Sequence, residues 1–321
     1  MKLVVLIPAF NEEHTIGRVI ELIPHQIAGI DTVEVIVIDD GSTDKTAFLA
    51  REKGATVVSH ATNMGVGAAF STGVLTALKH GGDVIVNMDA DLQFDPFDIP
   101  ALIQPILNGI AGFVTASRFK DKSLTPKMPF FKKFGNHFVA GIINFITKQH
   151  FTDVSCGFRA MNHDTALRIN LFGDFTYTQE TFIDLVQKKV PVIEIPLKIR
   201  GQREHGDSRV AKNVIRYGIR SLIIMLRAMR DFKPLKFFGI IGLALIGIGF
   251  VVELFVFIHW AATGNTAPFQ SLIIVGGVFV ILGFLLIILA LIADMMGRIR
   301  RIEEENLYFN KKQHYNHRSL R

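Results

Sequence analysis

Two apolar runs in the second half of the chain set the limits on what it can fold into. Phe237 to Trp260 is interrupted only by Glu253 and His259, and Phe269 to Ala293 carries no charged residue. At about 1.5 Å of rise per residue, roughly 24 helical residues reach about 36 Å, enough to cross a hydrocarbon core of about 30 Å with some tilt. Runs this long and this uncharged argue against two core helices of a soluble protein and predict a two-helix transmembrane hairpin. Glu253 is expected to contact the other span or a second protomer rather than to take part in catalysis, and His259 and Trp260 read as interface anchors. The composition, 49% hydrophobic with 20% charged, excludes disordered and fibrous chains.

Charge is divided in step with these runs. The net +6 of the 321 residues resolves into 20 basic and 23 acidic residues through Ser208, and 15 basic and 6 acidic after it. A basic excess confined to one end, beside apolar segments, points to anionic lipid or to membrane orientation, and no nucleic-acid partner is expected. Arg227, Arg230, Lys233 and Lys236 precede the first run, Arg298, Arg300 and Arg301 follow the second, and the connector 261–268 is uncharged. The positive-inside rule therefore places both ends in the cytoplasm. Met1-Lys2 leads straight into a strand-like run without a cleavage-site pattern, so no signal peptide is expected and the N-terminal domain should stay cytosolic. Between Arg209 and Asp231, the basic residues Arg209, Lys212, Arg216, Arg220, Arg227 and Arg230 fall within an arc of roughly 80° on a helix, with an apolar surface beside them. That pattern fits a helix lying in the headgroup layer, the alternative being a helix packed on the soluble domain.

The expected organisation is a cytosolic domain over 1–208, an amphipathic interfacial region over 209–236, and two transmembrane helices within 237–293 (about 237–260 and 269–293). A cytosolic basic tail, 294–321, reads as polar and frayed beyond Arg301. Its Glu305-Asn306-Leu307-Tyr308-Phe309-Asn310 is close to a protease-site tag, but it ends in Asn and reads as native. Cys156 is the only cysteine, which excludes an intramolecular disulfide and a cysteine-rich zinc site.

Before Ser208, β-branched runs alternate with helical stretches: Leu3 to Ile7, Val33 to Ile38, Thr56 to Ser59, Val84 to Met88 and Phe113 to Ala116. This predicts an α/β domain with a largely parallel sheet. The first strand is followed by Pro8-Ala9-Phe10-Asn11-Glu12 rather than a dinucleotide fingerprint, and no P-loop Gly-Lys-Ser/Thr is present, so nicotinamide chemistry and ATP hydrolysis are not expected. Acidic clusters stand instead at strand ends, where ligands of open α/β sheets bind. Asp39-Asp40 follows the second strand and Asp89-Ala90-Asp91 the fourth. Two carboxylates suffice for a hard cation that completes its shell with water and substrate phosphates, so the pattern points to diphosphate binding; each pair by itself also fits a turn.

The ordered series Ile7-Pro8-Ala9-Phe10-Asn11-Glu12, Asp39-Asp40-Gly41-Ser42-Thr43-Asp44, Asn63-Met64-Gly65-Val66-Gly67-Ala68-Ala69 and Asp89-Ala90-Asp91-Leu92-Gln93 resembles the family-2 glycosyltransferases of GT-A fold. Ser117-Arg118-Phe119, Asp153-Val154-Ser155-Cys156-Gly157-Phe158-Arg159 and Gly206-Asp207-Ser208-Arg209 resemble the branch that makes polyprenyl-phosphate sugars, including dolichyl-phosphate mannose and glucose synthases and bacterial relatives with two C-terminal spans. The resemblance covers nearly the whole chain up to the tail. It implies a Rossmann-like, mostly parallel sheet and an inverting, metal-dependent transfer of one hexose, mannose or glucose, from a GDP- or UDP-sugar to polyprenyl or dolichyl phosphate. It also makes a homo-oligomer an expectation.

Carried over onto this chain, the resemblance implies that Pro8, Phe10, Glu12, Asp39 and Asp40 line the nucleoside pocket. Asp89 and Asp91, with Gln93, would meet Mg²⁺ or Mn²⁺ and the sugar diphosphate. Arg200, Arg203 and Arg209, around the Gly206-Asp207-Ser208 turn, could close over the diphosphate or contact only headgroups, Arg203 being the candidate on the donor side and Arg209 on the acceptor phosphate. Arg118 is the candidate for the acceptor phosphate because a guanidinium grips phosphate bidentately. Lys132, Lys133 and Asn136 stand where the family often has another Arg and a Ser, which leaves acceptor geometry open. Asp153 is the preferred carboxylate for orientation or proton removal and Glu180 the second candidate; either could instead hold an arginine. The competing readings are transfer to another lipid or to a polysaccharide, and a non-catalytic scaffold or translocation partner. The Gln-x-x-Arg-Trp signature of processive synthases is absent.

Overall fold

The computed structural model describes residues 1–126, 128, 130–170, 177–201 and 234–316. The basic stretch 209–231, together with Arg203 and Arg209, lies outside the described residues, as does the side chain of Lys132. The chain divides into two compact units, Met1–Gly218 with Asn306–Arg321, and Ile219–Glu305.

In the first unit the strands are β1 (Lys2–Ala9), β2 (Thr32–Asp39), β3 (Thr56–Ser59), β4 (Val84–Asn87), β5 (Phe113–Ser117), β6 (Arg159–Asn162) and β7 (Val192–Pro196). Among the described residues they form one seven-stranded sheet in the order β3-β2-β1-β4-β6-β5-β7. Only β6 runs antiparallel to its neighbours β4 and β5; the other pairings are parallel. The helices are α1 (Ile16–Glu21), α2 (Thr46–Glu52), α3 (Val66–Lys79), α4 (Ile99–Leu107), α5 (Phe130–Thr147), α6 (His163–Arg168) and α7 (Tyr177–Gln187).

A strand covered on both faces must be apolar at every position, and Leu3 to Ile7 of β1 are all fully buried. Their alternation divides the core. Leu3, Val5 and Ile7 pack with Ile16 and Val19 of α1 and Leu102 of α4, while Val4 and Leu6 pack with Phe70 and Val74 of α3 and Leu167 of α6.

The second unit contains α8 (Pro234–Thr263) and all but the end of α9 (Gln270–Asn316), both long and apolar enough to cross a membrane. Only 17% and 11% of their most apolar stretches is buried, so they are not the core helices of a soluble fold. Small residues let the two backbones meet. A Cβ on Gly249 would stand 2.7 Å from the Gly276 carbonyl oxygen, and one on Gly242 would stand 2.8 Å from that of Gly283. Glu253 lies against Gly276, its Oε1 2.8 Å from where a Cβ would be, so this carboxylate contacts the other span.

The polar tail is not frayed over residues 302–316: α9 continues to Asn316. Tyr308 is buried in the second core cluster. Its hydroxyl donates to Asp164 Oδ1 (2.5 Å), and the Arg168 guanidinium lies 4.1 Å from its ring centroid. Lys311 donates to the Ile169 carbonyl and to Asn170 Oδ1. These contacts hold a locally polar segment in helix, and make the run that resembles a protease-site tag part of the fold.

Candidate active site

Ala9 pairs with Asp39 across β1 and β2, and Leu6 with Asn87 across β1 and β4, so the C-terminal ends of three strands open onto one edge. The Pro8–Glu12 turn is half-buried there. Asn11 takes the left-handed conformation (φ 55°), its Oδ1 accepting from the Thr43 N–H while its own N–H donates to Ser42 Oγ. The Glu12 N–H donates to Thr46 Oγ1. These bonds lace the Pro8–Glu12 turn to the loop after β2.

The two aspartates at the end of β2 behave differently. Asp40 accepts from the Met64 N–H (2.9 Å) and the Gly65 N–H (2.8 Å), and its Oδ1 lies 2.8 Å from His60 Nδ1. Both of its oxygens therefore hold the turn before α3. Asp39 accepts from the Ser42 N–H through Oδ1, and among the described residues its Oδ2 has no hydrogen-bond partner.

Beyond β4, Leu92 is held at φ 59°, a conformation that costs a non-glycine residue roughly 1–2 kcal/mol. The kink lets the buried Asp91 accept the Gln93 N–H through Oδ1 (3.1 Å). Asn87 donates to the Gly157 carbonyl, and Gly157 closes on Asp89 so tightly that a Cβ would stand 3.1 Å from both carboxylate oxygens. Asp89, Asp91 and the Gln93 amide oxygen are hard donors, as Mg²⁺ or Mn²⁺ require. No group of three or more His, Cys, Asp or Glu that could hold a metal occurs among the described residues. A cation here would take the rest of its shell from water and diphosphate, so the donor set fits.

At the end of β5, Arg118 is gripped by Asp153. Nε and Nη2 donate to the two carboxylate oxygens at 2.6 and 2.8 Å, and Nη2 also donates to Ser155 Oγ (2.8 Å). Ser155 in turn donates to Asn136 Oδ1 on α5 (2.7 Å), which joins Arg118 and Asn136. Burial works against the charge of Asp153, but the hydrogen bonds and charge of Arg118 outweigh it and hold this carboxyl below the usual aspartate range. Asp153 is thus an ionised anchor. Lys133 is exposed on α5, and Glu180 is half-buried in the first turn of α7.

Two supporting residues were not singled out by sequence reasoning. Glu194 of β7 accepts from the Thr152 and Asp153 N–H groups (2.9 and 2.8 Å) and fixes the backbone that presents Asp153; a lone charge inside the apolar run 192–195 was its signal. Arg159, fully buried, donates to the carbonyls of Cys156 and Thr178 and lies over the rings of Phe113 and Phe182. It ties the Asp153–Phe158 loop to the start of α7, and nothing in the local pattern marks it as buried.

A sheet of this order, with paired carboxylates at the ends of β2 and β4, is a GT-A-like fold. The glycosyl transferase family 2 model matches residues 4–168, and the chain belongs to that family; it is a glycosyltransferase. The chain is similar to the UDP-N-acetylglucosamine–dolichyl-phosphate N-acetylglucosaminyltransferase of Methanococcus voltae, 30% identical over 214 residues, which cover 60% of this chain and 83% of that protein. It is also similar to the undecaprenyl-phosphate 4-deoxy-4-formamido-L-arabinose transferase of Edwardsiella ictaluri, 28% identical over 316 residues, covering 92% and 88%. In fold it is similar to glucosyl-3-phosphoglycerate synthase from Mycobacterium tuberculosis, solved in complex with Mn²⁺, UDP and glucosyl-3-phosphoglycerate, with TM-score 0.53, 22% identity, and 71% and 78% of the two chains covered.

Proposed function

We propose that this protein transfers one hexose, mannose or glucose, from a GDP- or UDP-sugar to a polyprenyl phosphate at the cytoplasmic face of a membrane, with inversion at the anomeric carbon. The observation that carries this reading is a short segment that contacts both Arg118 and the carboxylate loop. Asp153 holds Arg118, the cation suited to an acceptor phosphate, and Gly157, four residues on, closes against Asp89 of the carboxylate loop. The candidate cation for the acceptor phosphate and the carboxylate loop thereby both rest against one piece of chain.

The apolar surface of α5 supports a lipid acceptor. Phe130, Phe134, Phe138 and Phe145 are all exposed, and the first three rings stack in series 6.4 Å apart. They fall within roughly 80° of the helix circumference, the same helix that presents Lys133 and Asn136. The relatives named above are transferases to dolichyl and undecaprenyl phosphates.

In this reading the nucleoside lies against Pro8, Phe10 and Glu12, with Asp39 Oδ2 available to its donor groups and Asp40 holding the neighbouring turn. Asp89, Asp91 and Gln93 would hold Mg²⁺ or Mn²⁺, which would neutralise charge on the departing diphosphate. Arg118, fixed by Asp153 and Ser155, orients the lipid phosphate, with Asn136 joined to it through Ser155 and Lys132, Lys133, Arg203 and Arg209 as further candidate cations. A phosphate oxygen then bonds to the anomeric carbon as the bond to the nucleoside diphosphate breaks. The attacking oxygen is already ionised near neutral pH, so positioning matters more than proton removal. Asp153, ionised and committed to Arg118, acts as an orienting group, and Glu180 is the alternative carboxylate for a proton.

The test is incubation of the purified protein with polyprenyl phosphate and a panel of labelled UDP- and GDP-sugars, with and without EDTA. One donor should yield an organic-extractable sugar phosphodiester in the presence of metal only. No lipid-linked product from any donor would reject the reading.

A further inference from the structure

One imidazole ties the end of β2 to α3. His60, the first residue after β3, donates its backbone N–H to the Asp39 carbonyl (2.9 Å). Its side chain is only 10% exposed, with Nδ1 2.8 Å from Asp40 Oδ1 and Nε2 3.0 Å from Thr72 Oγ1 on α3. A ring protonated on Nε2 alone would set the Nδ1 lone pair against a carboxylate, so Nδ1 carries a proton and donates to Asp40. Asp40 then accepts from three N–H groups, those of His60, Met64 and Gly65, and both of its oxygens are engaged. The preceding residue differs, since Asp39 gives only Oδ1 to the Ser42 N–H. Gly41 packs on the same turn so closely that a Cβ would stand 2.7 Å from the Thr62 carbonyl carbon and 2.8 Å from the Asn63 nitrogen. Any shift of residues 62–65 is therefore passed to the loop that carries Asp39.

We propose that His60, braced by Thr72, is a positioning residue for the nucleotide-sugar donor: it locks Asp40 onto the Met64–Gly65 turn and thereby leaves Asp39 as the carboxylate that faces the nucleoside. The donor's identity rests on the functional reading above, whereas the lock rests on the geometry alone. Hydrogen bonds to an ionised group are the strong ones, and three of them hold Asp40 in one orientation. Without the ring, Asp40 Oδ1 keeps only the Met64 N–H. The carboxylate can then turn, the 62–65 turn loosens with it, and the Asp39 loop packed on that turn shifts. Thr72 acts one bond further out, because the bond made by one ring nitrogen decides how the other is protonated and aimed.

Two measurements on the full-length protein in detergent test this. In protein labelled with ¹⁵N-histidine, the His60 ring, identified as the signal missing from His60→Asn, should carry a proton on Nδ1 without any ligand. A neutral ring protonated only on Nε2 would overturn the lock. Calorimetry with Mn²⁺ and UDP, repeated with GDP, then compares wild type with three variants. His60→Asn keeps an N–H donor near the Nδ1 position and should bind within about threefold of wild type. His60→Leu fills the space without a donor and should bind about tenfold more weakly, the scale of one hydrogen bond to a charged group. Thr72→Val keeps the ring and should bind about threefold more weakly. In turnover, the KM for the sugar donor should follow these losses, while kcat and the KM for polyprenyl phosphate move by less than about twofold. A role in packing alone gives the reverse order, with Leu tolerated better than Asn; that order, or equal affinities across the series, would overturn the proposal and leave the functional reading standing. Where His60→Leu does not fold, the ring proton and Thr72→Val decide. If neither nucleoside diphosphate binds wild type, the donor role falls together with the donor reading, and the ring proton still decides the lock.

Discussion

Arg118 and Asp153 form a two-point ion pair in which the carboxylate is fully buried and the guanidinium is about one-fifth exposed. Breaking such a pair from one side leaves a buried group without its counter-charge, which costs about 3 kcal/mol or more. Asp153→Asn should lower thermal stability by about that amount and raise the KM for polyprenyl phosphate more than that for the donor. The pair also sets a pH dependence. The Asp153 pKa is lowered in the folded protein, so its stabilisation is complete above the ordinary aspartate value of about 3.9 and is lost as pH falls through the lower folded value. Denaturant unfolding between pH 6 and 3 should show wild type losing stability at the acid end, and Asp153→Asn losing less.

Gly157 offers a probe of the carboxylate loop that leaves its charges in place. A methyl group there would stand 3.1 Å from both Asp89 oxygens, so Asp89 has to yield by a few tenths of an ångström. Gly157→Ala should cut kcat/KM about tenfold, the scale on which small displacements act in a preorganised site. It should also raise the Mn²⁺ concentration needed for half-maximal turnover while barely moving Tm. An unchanged metal titration would mean that Asp89 is not a metal-side group.

Cys156 lies beside this machinery and is chemically silent. Burial first, and the Asp153 charge second, push its thiol up to about 12. At pH 8 the folded protein should resist maleimide labelling, whereas denaturant should expose one reactive thiol, scored by intact mass. Because it is the only cysteine, the labelling rate reports opening of the Asp153–Phe158 loop directly.

Tyr308 tests the end of α9. Removing a buried aromatic ring costs about 3–5 kcal/mol, and removing only the hydroxyl costs about 1 kcal/mol. Tyr308→Ala should therefore destabilise the catalytic unit strongly and Tyr308→Phe mildly, measured by chemical denaturation followed by circular dichroism. Equal and negligible effects would show that the helical end is not held by this contact.

Much of this arrangement was legible in the sequence because it is local. Apolar runs ending in Asp39-Asp40 and Asp89-Ala90-Asp91 announce strands whose ends carry carboxylates, and ordered motifs announce the family. What was not legible depends on partners far along the chain. Asp40 differs from Asp39 because Met64 and Gly65, 24 and 25 residues on, present their N–H groups to it and His60, 20 residues on, its ring nitrogen. Glu194 and Arg159 are charges whose burial follows from contacts 41 and 19 residues away. The tail looks frayed by its own polarity, yet Tyr308 finds Asp164 across 144 residues.

The most direct measurement is the mass and linkage of the lipid product formed by purified wild-type protein and by Asp91→Asn from polyprenyl phosphate and the donor found in the panel. Wild type should form a polyprenyl phosphate carrying a single hexose in a phosphodiester of inverted anomeric configuration, and Asp91→Asn should form less than about 1% as much, as expected when a group stabilising the leaving diphosphate is lost. Equal product from the two proteins, or a product bearing sugar without the phosphodiester, would contradict the account.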